Sequence, residues 1–471
     1  MASEVRLKSA NGITYVYENQ SYWDKATKST KHKRKLIGHV DPETGKVVPN
    51  RKKGDTAKKR ALAKDMVEDG FTVRPVGLAM LLDKAVKDIQ LQEVLTAIFP
   101  KDRGHILACA YHILYGDNTL SYIDNNMVFG SNDLTDYHDI GCLLTRITPD
   151  LREVFFQKWM ECNPSDRLYV MNITGVASYS GLIEAQNSEN SYGIDCPGFI
   201  NMLMVIDKKS SMPVFYRIIP NRIKSLTELN KIMAASPYTK GKRLYYVLDK
   251  DIYNENIIGA LSSSRQSFIM DIPVKSDYST ELIKRHIDNV FSETGTSVMG
   301  ADNSLYIERE DTSINGCPIY NYVCYDRHKG VVSERSSSKV IVDQYDRMRS
   351  GLSVFTGTIK TDNSEPLALY RMKSDIGEFF SFLDNELDRE RIPLYSREAM
   401  EGRVFLQFVA QLIAARLNRV LYETDGGNVH NFREAINGMK SLYEVRSKGS
   451  GRAYQTDPTP LQREIMELYD L

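Results

Sequence analysis

The chain has 471 residues, 42% of them apolar and 26% charged, and its 61 basic residues balance 61 acidic ones. That length predicts two or three domains with a sizeable core, and zero net charge argues neither for nor against a polyanionic partner. No apolar run approaches the ~20 residues that span a bilayer, and no signal-peptide core opens the sequence, so the expectation is no membrane and a cytoplasmic setting.

Residues 1–60 read as a small β unit followed by a basic linker. β-favouring residues at 13–17 and 35–40 predict two strands, and Asp41-Pro-Glu-Thr-Gly45 has the composition of a turn. This segment holds 15 Lys/Arg against 6 Asp/Glu. Lys31 to Lys35, then Arg51, Lys52 and Lys53, then Lys58, Lys59 and Arg60 form clusters that can neutralise phosphates. A solvated basic arm has the same composition.

Residues 61–165 predict a helical domain. Apolar residues recur at three- and four-residue spacing over 76–90, 91–98, 106–115 and 151–160, punctuated by Pro100, Gly104, Gly116 and Pro149. From 166 to 265 the pattern turns to strands, at 168–171, 199–206, 213–219 and 244–248, with a helix over 227–235. The run Leu244-Tyr-Tyr-Val-Leu248 is apolar throughout, as in a strand buried on both faces, and it ends in Asp249. An acid there sits where open α/β sheets hold ligands, although a helix-capping Asp gives the same signal. The strand pattern predicts an α/β fold with a mixed sheet of the ribonuclease H type.

Residues 266–360 are mostly polar with short alternating runs, which predicts a β-rich insertion and a charged helix near 331–349. Residues 361–446 return to helices, with Leu369, Met372, Ile376, Phe380 and Leu383 forming one face of the first. Residues 447–471 read as a Gly/Ser/Pro linker and a terminal helix. The six cysteines, Cys109, Cys142, Cys162, Cys196, Cys317 and Cys324, form no Cys-x-x-Cys pair and read as reduced packing thiols.

Several blocks, taken in order, resemble insertion-sequence transposases of the DDE type, in the group with a Tyr-Arg-Glu-Lys signature. They are Tyr15-Val-Tyr17 with Ile37 to Gly45, Leu151 to Trp159, Asn172-Ile-Thr174 with Ser178-Tyr-Ser180, Asp207 to Pro213 with Ile219-Pro-Asn221, Val247-Leu-Asp249, Tyr370 to Phe380 with Leu383 to Arg391, and Gly402-Arg-Val-Phe405. The resemblance covers nearly the whole chain. It implies a ribonuclease H-like core that cuts and joins double-stranded DNA at element ends, as a homodimer on DNA in the nucleoid. It also implies three carboxylates holding paired Mg²⁺ ions around one phosphodiester. The linker residues Arg51, Lys52, Lys53, Lys58, Lys59 and Arg60 then become candidate DNA contacts, with Lys373.

The sequence departs from that pattern at its chemical centre. The first acid falls on Asn172, whose amide ligates metals weakly and carries no charge. Counting from Tyr370, the family's arginine is Lys373, its glutamate is Gly377 and its lysine is Asp384. Asp249 alone keeps a carboxylate, so Mg²⁺ is expected to bind weakly there, and losing bridging acids removes several kcal/mol of transition-state stabilisation. Glu378 follows Gly377, but one helical step turns a side chain by ~100°, away from the site. A π-bulge or register shift would be needed to bring it back. Three readings stay open: a DNA-binding member with a degenerate site, an active enzyme using Glu378 or a partner's acid, and an interaction scaffold without DNA binding.

Overall fold

The computed structural model describes residues 3–9, 14–24, 28–41, 45–49, 70–115, 137–178, 198–219, 231, 237–253, 255–263, 266–291, 305–326, 351–360, 365–381, 397–424, 428–449 and 453–471. Arg51 to Arg60, Asp384, the expected helix near 331–349 and, apart from helical Lys231, the expected helix over 227–235 lie outside the described residues. The chain forms two compact units, Met1–Arg74 with Tyr443–Asp457, and Pro75–Leu442 with Pro458–Leu471.

In the first unit, β1 (Ser3–Lys8), β2 (Thr14–Asp24), β3 (Ser29–Val40) and β4 (Val47–Pro49) form an antiparallel sheet in chain order. The two middle strands run longer than expected because Tyr22, Trp23 and Thr30 continue the β-favouring pattern. Gly38 lets β4 close in: a Cβ there would stand 2.2 Å from the Val48 carbonyl oxygen. A second sheet holds β5 (Phe71–Pro75) and two late strands, β14 (Tyr443–Ser447) and β15 (Ala453–Gln455), in the order β15-β14-β5. This corrects the expected flexible linker from 447. Ser447 is buried in β14, and Val445 lies opposite Tyr454, so paired backbone overrides the Gly/Ser composition.

The second unit begins with α1 (Gly77–Asp88), α2 (Leu91–Ile98), α3 (Arg103–Tyr115), α4 (Tyr137–Arg146) and α5 (Pro149–Cys162). Thr148 caps α5 by accepting from the Leu151 N–H at 3.4 Å, with Pro149 in the first turn. Then come β6 (Arg167–Ser178), β7 (Gly198–Asp207), β8 (Pro213–Ile219), β9 (Arg243–Leu248), α6 (Glu255–Ser263), β10 (Ser267–Ile272), α7 (Asp277–Phe291), β11 (Leu305–Ile314), β12 (Cys317–Asp326) and β13 (Leu352–Gly357). Helices α8 (Glu365–Ser381), α9 (Arg397–Thr424), α10 (Phe432–Met439) and α11 (Pro460–Leu468) complete the chain.

One eight-stranded sheet organises this unit, in the order β11-β12-β13-β10-β9-β6-β7-β8. β8, β7 and β6 are antiparallel neighbours, while β9 and β10 run parallel to β6. Within 266–360, expected as a β-rich insertion, the described residues supply β10 to β13 of this sheet and helix α7. The reason is local: Phe268, Ile269, Met270 and Ile272 are all buried, as a central strand requires.

Helix α9 runs through the core. Phe405 and Phe408 meet Phe155 of α5 edge to face, with centroids 5.0 and 6.5 Å apart. Gly402 brings α9 against α4, where a Cβ would stand 2.2 Å from the Leu144 carbonyl oxygen. By length and composition α9 could cross a membrane, but 72% of its apolar window is buried inside the fold. Cys109 and Cys324 are free and buried, in keeping with packing thiols.

Candidate functional site

Asp249 follows β9 in extended conformation and opens a short 3₁₀ turn, Lys250–Ile252. Its side chain makes no capping hydrogen bond, so the capping explanation for this acid does not hold. The carboxylate instead accepts from the ammonium of Lys373, which is only 6% exposed, on α8.

Helix α8 lies against β6 and β9, and its side chains from Glu365 to Lys373 hold it to the sheet. In its first turn Glu365 accepts from the Tyr169 hydroxyl at 2.7 Å and from Lys208 at 3.2 Å. Lys208 in turn lies over the rings of Tyr169 and Tyr245, at 5.0 and 4.6 Å. Tyr370 and Lys373 sit one turn apart and share a face, as i and i+3 residues do. The Tyr370 ring packs against Phe355 at 5.4 Å, and Lys373 Nζ stands 5.8 Å from the Tyr370 ring centre. Arg371 reaches Asp326, at the end of β12, at 3.5 Å.

A second acid completes the centre. Asp271 on β10 is buried, and Met270 pairs with Leu248 in the parallel register. Asp271 is therefore level with Asp249, one strand away, ~4.8 Å across the sheet. Tyr370 hydrogen-bonds to its carboxylate. Burial pushes the Asp271 carboxyl up to about 6, and the neighbouring Asp249 charge adds to this, while Lys250, Lys373 and the Tyr370 hydrogen bond oppose it. The sequence reading missed Asp271, Asp326 and Arg371. Asp271 carried a related signal, a lone acid within an apolar strand, in Phe-Ile-Met-Asp-Ile.

The other expected site residues are distributed differently. Asn172 is buried in β6, where Met171 pairs with Val247. It is thus level with Leu248, one residue short of Asp249. Strand alternation turns it to the sheet face opposite Tyr169 and Met171. Gly377 lies on α8, one turn beyond Lys373, and offers no ligand. Glu378 is in the same helix, but its side chain lies outside the described residues, as do Asp384 and the basic linker.

Paired Mg²⁺ ions need three converging oxygen anions, and the residues present do not fit that requirement. A lysine already neutralises Asp249, Asp271 is drawn to Tyr370, and Asn172 faces away. Among the described residues no group of three His, Cys, Asp or Glu side chains is placed to hold a metal. The arrangement is chemically a row of carboxylates, Glu365, Asp249, Asp271 and Asp326, each met by a cation or hydroxyl from the chain itself.

No protein-family model and no curated protein matches this sequence. Among solved structures the chain is similar to a piggyBac transposase synaptic complex with hairpin DNA, with a TM-score of 0.31 and 8% identity over 83% of this chain and 70% of that one. A likeness that slight assigns neither fold nor family.

Proposed function

We propose that this chain is a transposase-like, DNA-binding protein on a ribonuclease H-like core, with cation-dependent cleavage lost. The order of its central strands supports the core. Numbered by appearance from β6, they run 3-2-1-4-5, three antiparallel and then two parallel, as in a ribonuclease H sheet. Asp249 stands at the carboxyl end of the strand where the resemblance puts the second acid, and α8 carries the Tyr370 and Lys373 of the signature. The observation that carries the loss of cleavage is the Asp249–Lys373 ion pair, which sets an internal ammonium where the reaction needs metal. DNA binding, a paired copy on DNA and a nucleoid setting follow from the resemblance and from the basic N-terminal segment.

The test is direct. Purified protein should bind duplex DNA with affinity that falls steeply with salt, yet leave it uncut in Mg²⁺ or Mn²⁺. Strand cleavage that disappears in Asp249→Ala would overturn the loss of catalysis. A salt slope near zero would overturn the DNA binding.

A further inference from the structure

In the first unit, β2 and β3 outrun their neighbours. β1 pairs with β2 only from Thr14 to Asn19, and β4 pairs with β3 only from Gly38 to Val40. Residues 20–24 and 29–33 are left as a two-stranded ribbon that no other described strand flanks, in the register Tyr22↔Lys31, Trp23↔Thr30 and Asp24↔Ser29. A free two-stranded ribbon is marginally stable on its own, and one extended into solvent gains by docking. Ser21, Tyr22, Trp23, Thr30, Lys31 and Lys33 are all exposed, Trp23 to 62%.

Its charge is one-sided. Alternation puts Lys31, Lys33 and Lys35 on one face, at a pitch of ~6.8 Å, beside Tyr22. Arg34 and Trp23 take the other face. Over the paired residues 18–24 and 29–35 the sequence has Lys31, Lys33, Arg34 and Lys35 against two acids, Asp24 and Glu18, the latter opposite Lys35, and Lys28 adds one more cation beside the pair. The exposed lysines of an element that no other described strand flanks are open to neutralisation by a polyanion. Two strands ~4.8 Å apart with their side chains fit a major groove ~12 Å wide, which admits a β-ribbon.

We propose that this ribbon docks in the groove of duplex DNA, its lysines on phosphates and Tyr22 and Trp23 against the groove wall. The proposal rests on the reading of the chain as DNA-binding and assigns the contact to a surface other than the linker 51–60.

Two measurements on the full chain test it. In fluorescence anisotropy with a labelled random-sequence duplex, Lys31→Glu with Lys33→Glu should weaken binding about tenfold or more and flatten the log-affinity against log-salt slope by about two, since each phosphate contact contributes ~0.9. Lys87→Glu with Lys284→Glu, exposed helical positions of the second unit, should bind as wild type does. The chain has two tryptophans, and Trp159 is 0% exposed, so acrylamide quenching reads Trp23. Duplex should shield Trp23. If duplex binds with a steep salt slope but Trp23 stays quenchable, or the reversed lysines change nothing, the ribbon is not the contact and DNA binding survives. If no duplex binds, both readings fall. Shielding by phosphatidylserine vesicles and not by duplex would also overturn the proposal.

Discussion

The two basic regions of this molecule use their lysines in opposite ways. Lys373 is buried in the second unit with its charge met by Asp249, while Lys33 of the first stands exposed on a ribbon that no other described strand flanks. A cation matched inside the chain acts on the fold, and a cation left in water is available to a partner. Substitution at each place should therefore change different observables.

The largest effect is expected at the buried pair. Lys373→Met leaves the Asp249 carboxylate without its cation in a largely desolvated place and should cost ~3 kcal/mol or more of unfolding free energy, measured in urea. Adding Asp249→Asn should recover most of that loss. A small effect in the single variant would mean that water, not Lys373, holds Asp249, and the comparison breaks.

Next comes Asp271. Its carboxyl is raised from 3.8 to about 6 in the folded chain. Well below pH 3.8 both folded and unfolded forms are protonated, and the group has no effect. As pH rises to ~6 the unfolded chain ionises first, so the native protein loses stability across that window and carries the full penalty above it. Asp271→Asn should therefore stabilise the protein at neutral pH by ~2–3 kcal/mol and flatten thermal stability between pH 4 and 6. If Asp271→Asn is less stable than wild type at pH 7, the Tyr370 hydrogen bond needs the anion.

The exposed side of the comparison predicts small numbers. Lys33→Ala should shift stability by no more than ~0.5 kcal/mol, because nothing buried depends on it. Smallest of all, Mg²⁺ against EDTA should move Tm by less than ~1 °C, since the cation position beside Asp249 is already filled. A rise with Mg²⁺ that saturates would reveal a metal site.

Much of this organisation was legible in the sequence, and the exceptions have physical causes. The Leu244 to Leu248 run marked a buried strand, and Asp249 marked its end, because both signals are local. Helix α8 was legible from the spacing of Leu369 and Ile376, and both are buried. The resemblance singled out Tyr370 and Lys373, but could not show that the lysine turns inward to an acid 124 residues away. Asp271 was overlooked because the stretch around it was assigned to an insertion, although its apolar neighbours already described a central strand. The facing of Asn172 was beyond reach, since a one-residue change in strand register reverses the side of every residue. The late strands β14 and β15 were hidden by Gly and Ser, whose flexibility says nothing about a partner strand supplied from residues 71–75.

The separation between Asp249 and Lys373 also bears on how the molecule assembles. The cross-strand neighbours of the ribbon are close in sequence, whereas α8 reaches β9 only after a 124-residue loop has closed. With so long a loop to close, this contact is expected to form late on the folding route. Lys373→Met should therefore speed unfolding severalfold while refolding keeps nearly its original rate, so that the pair serves as a latch on the lifetime of the native state.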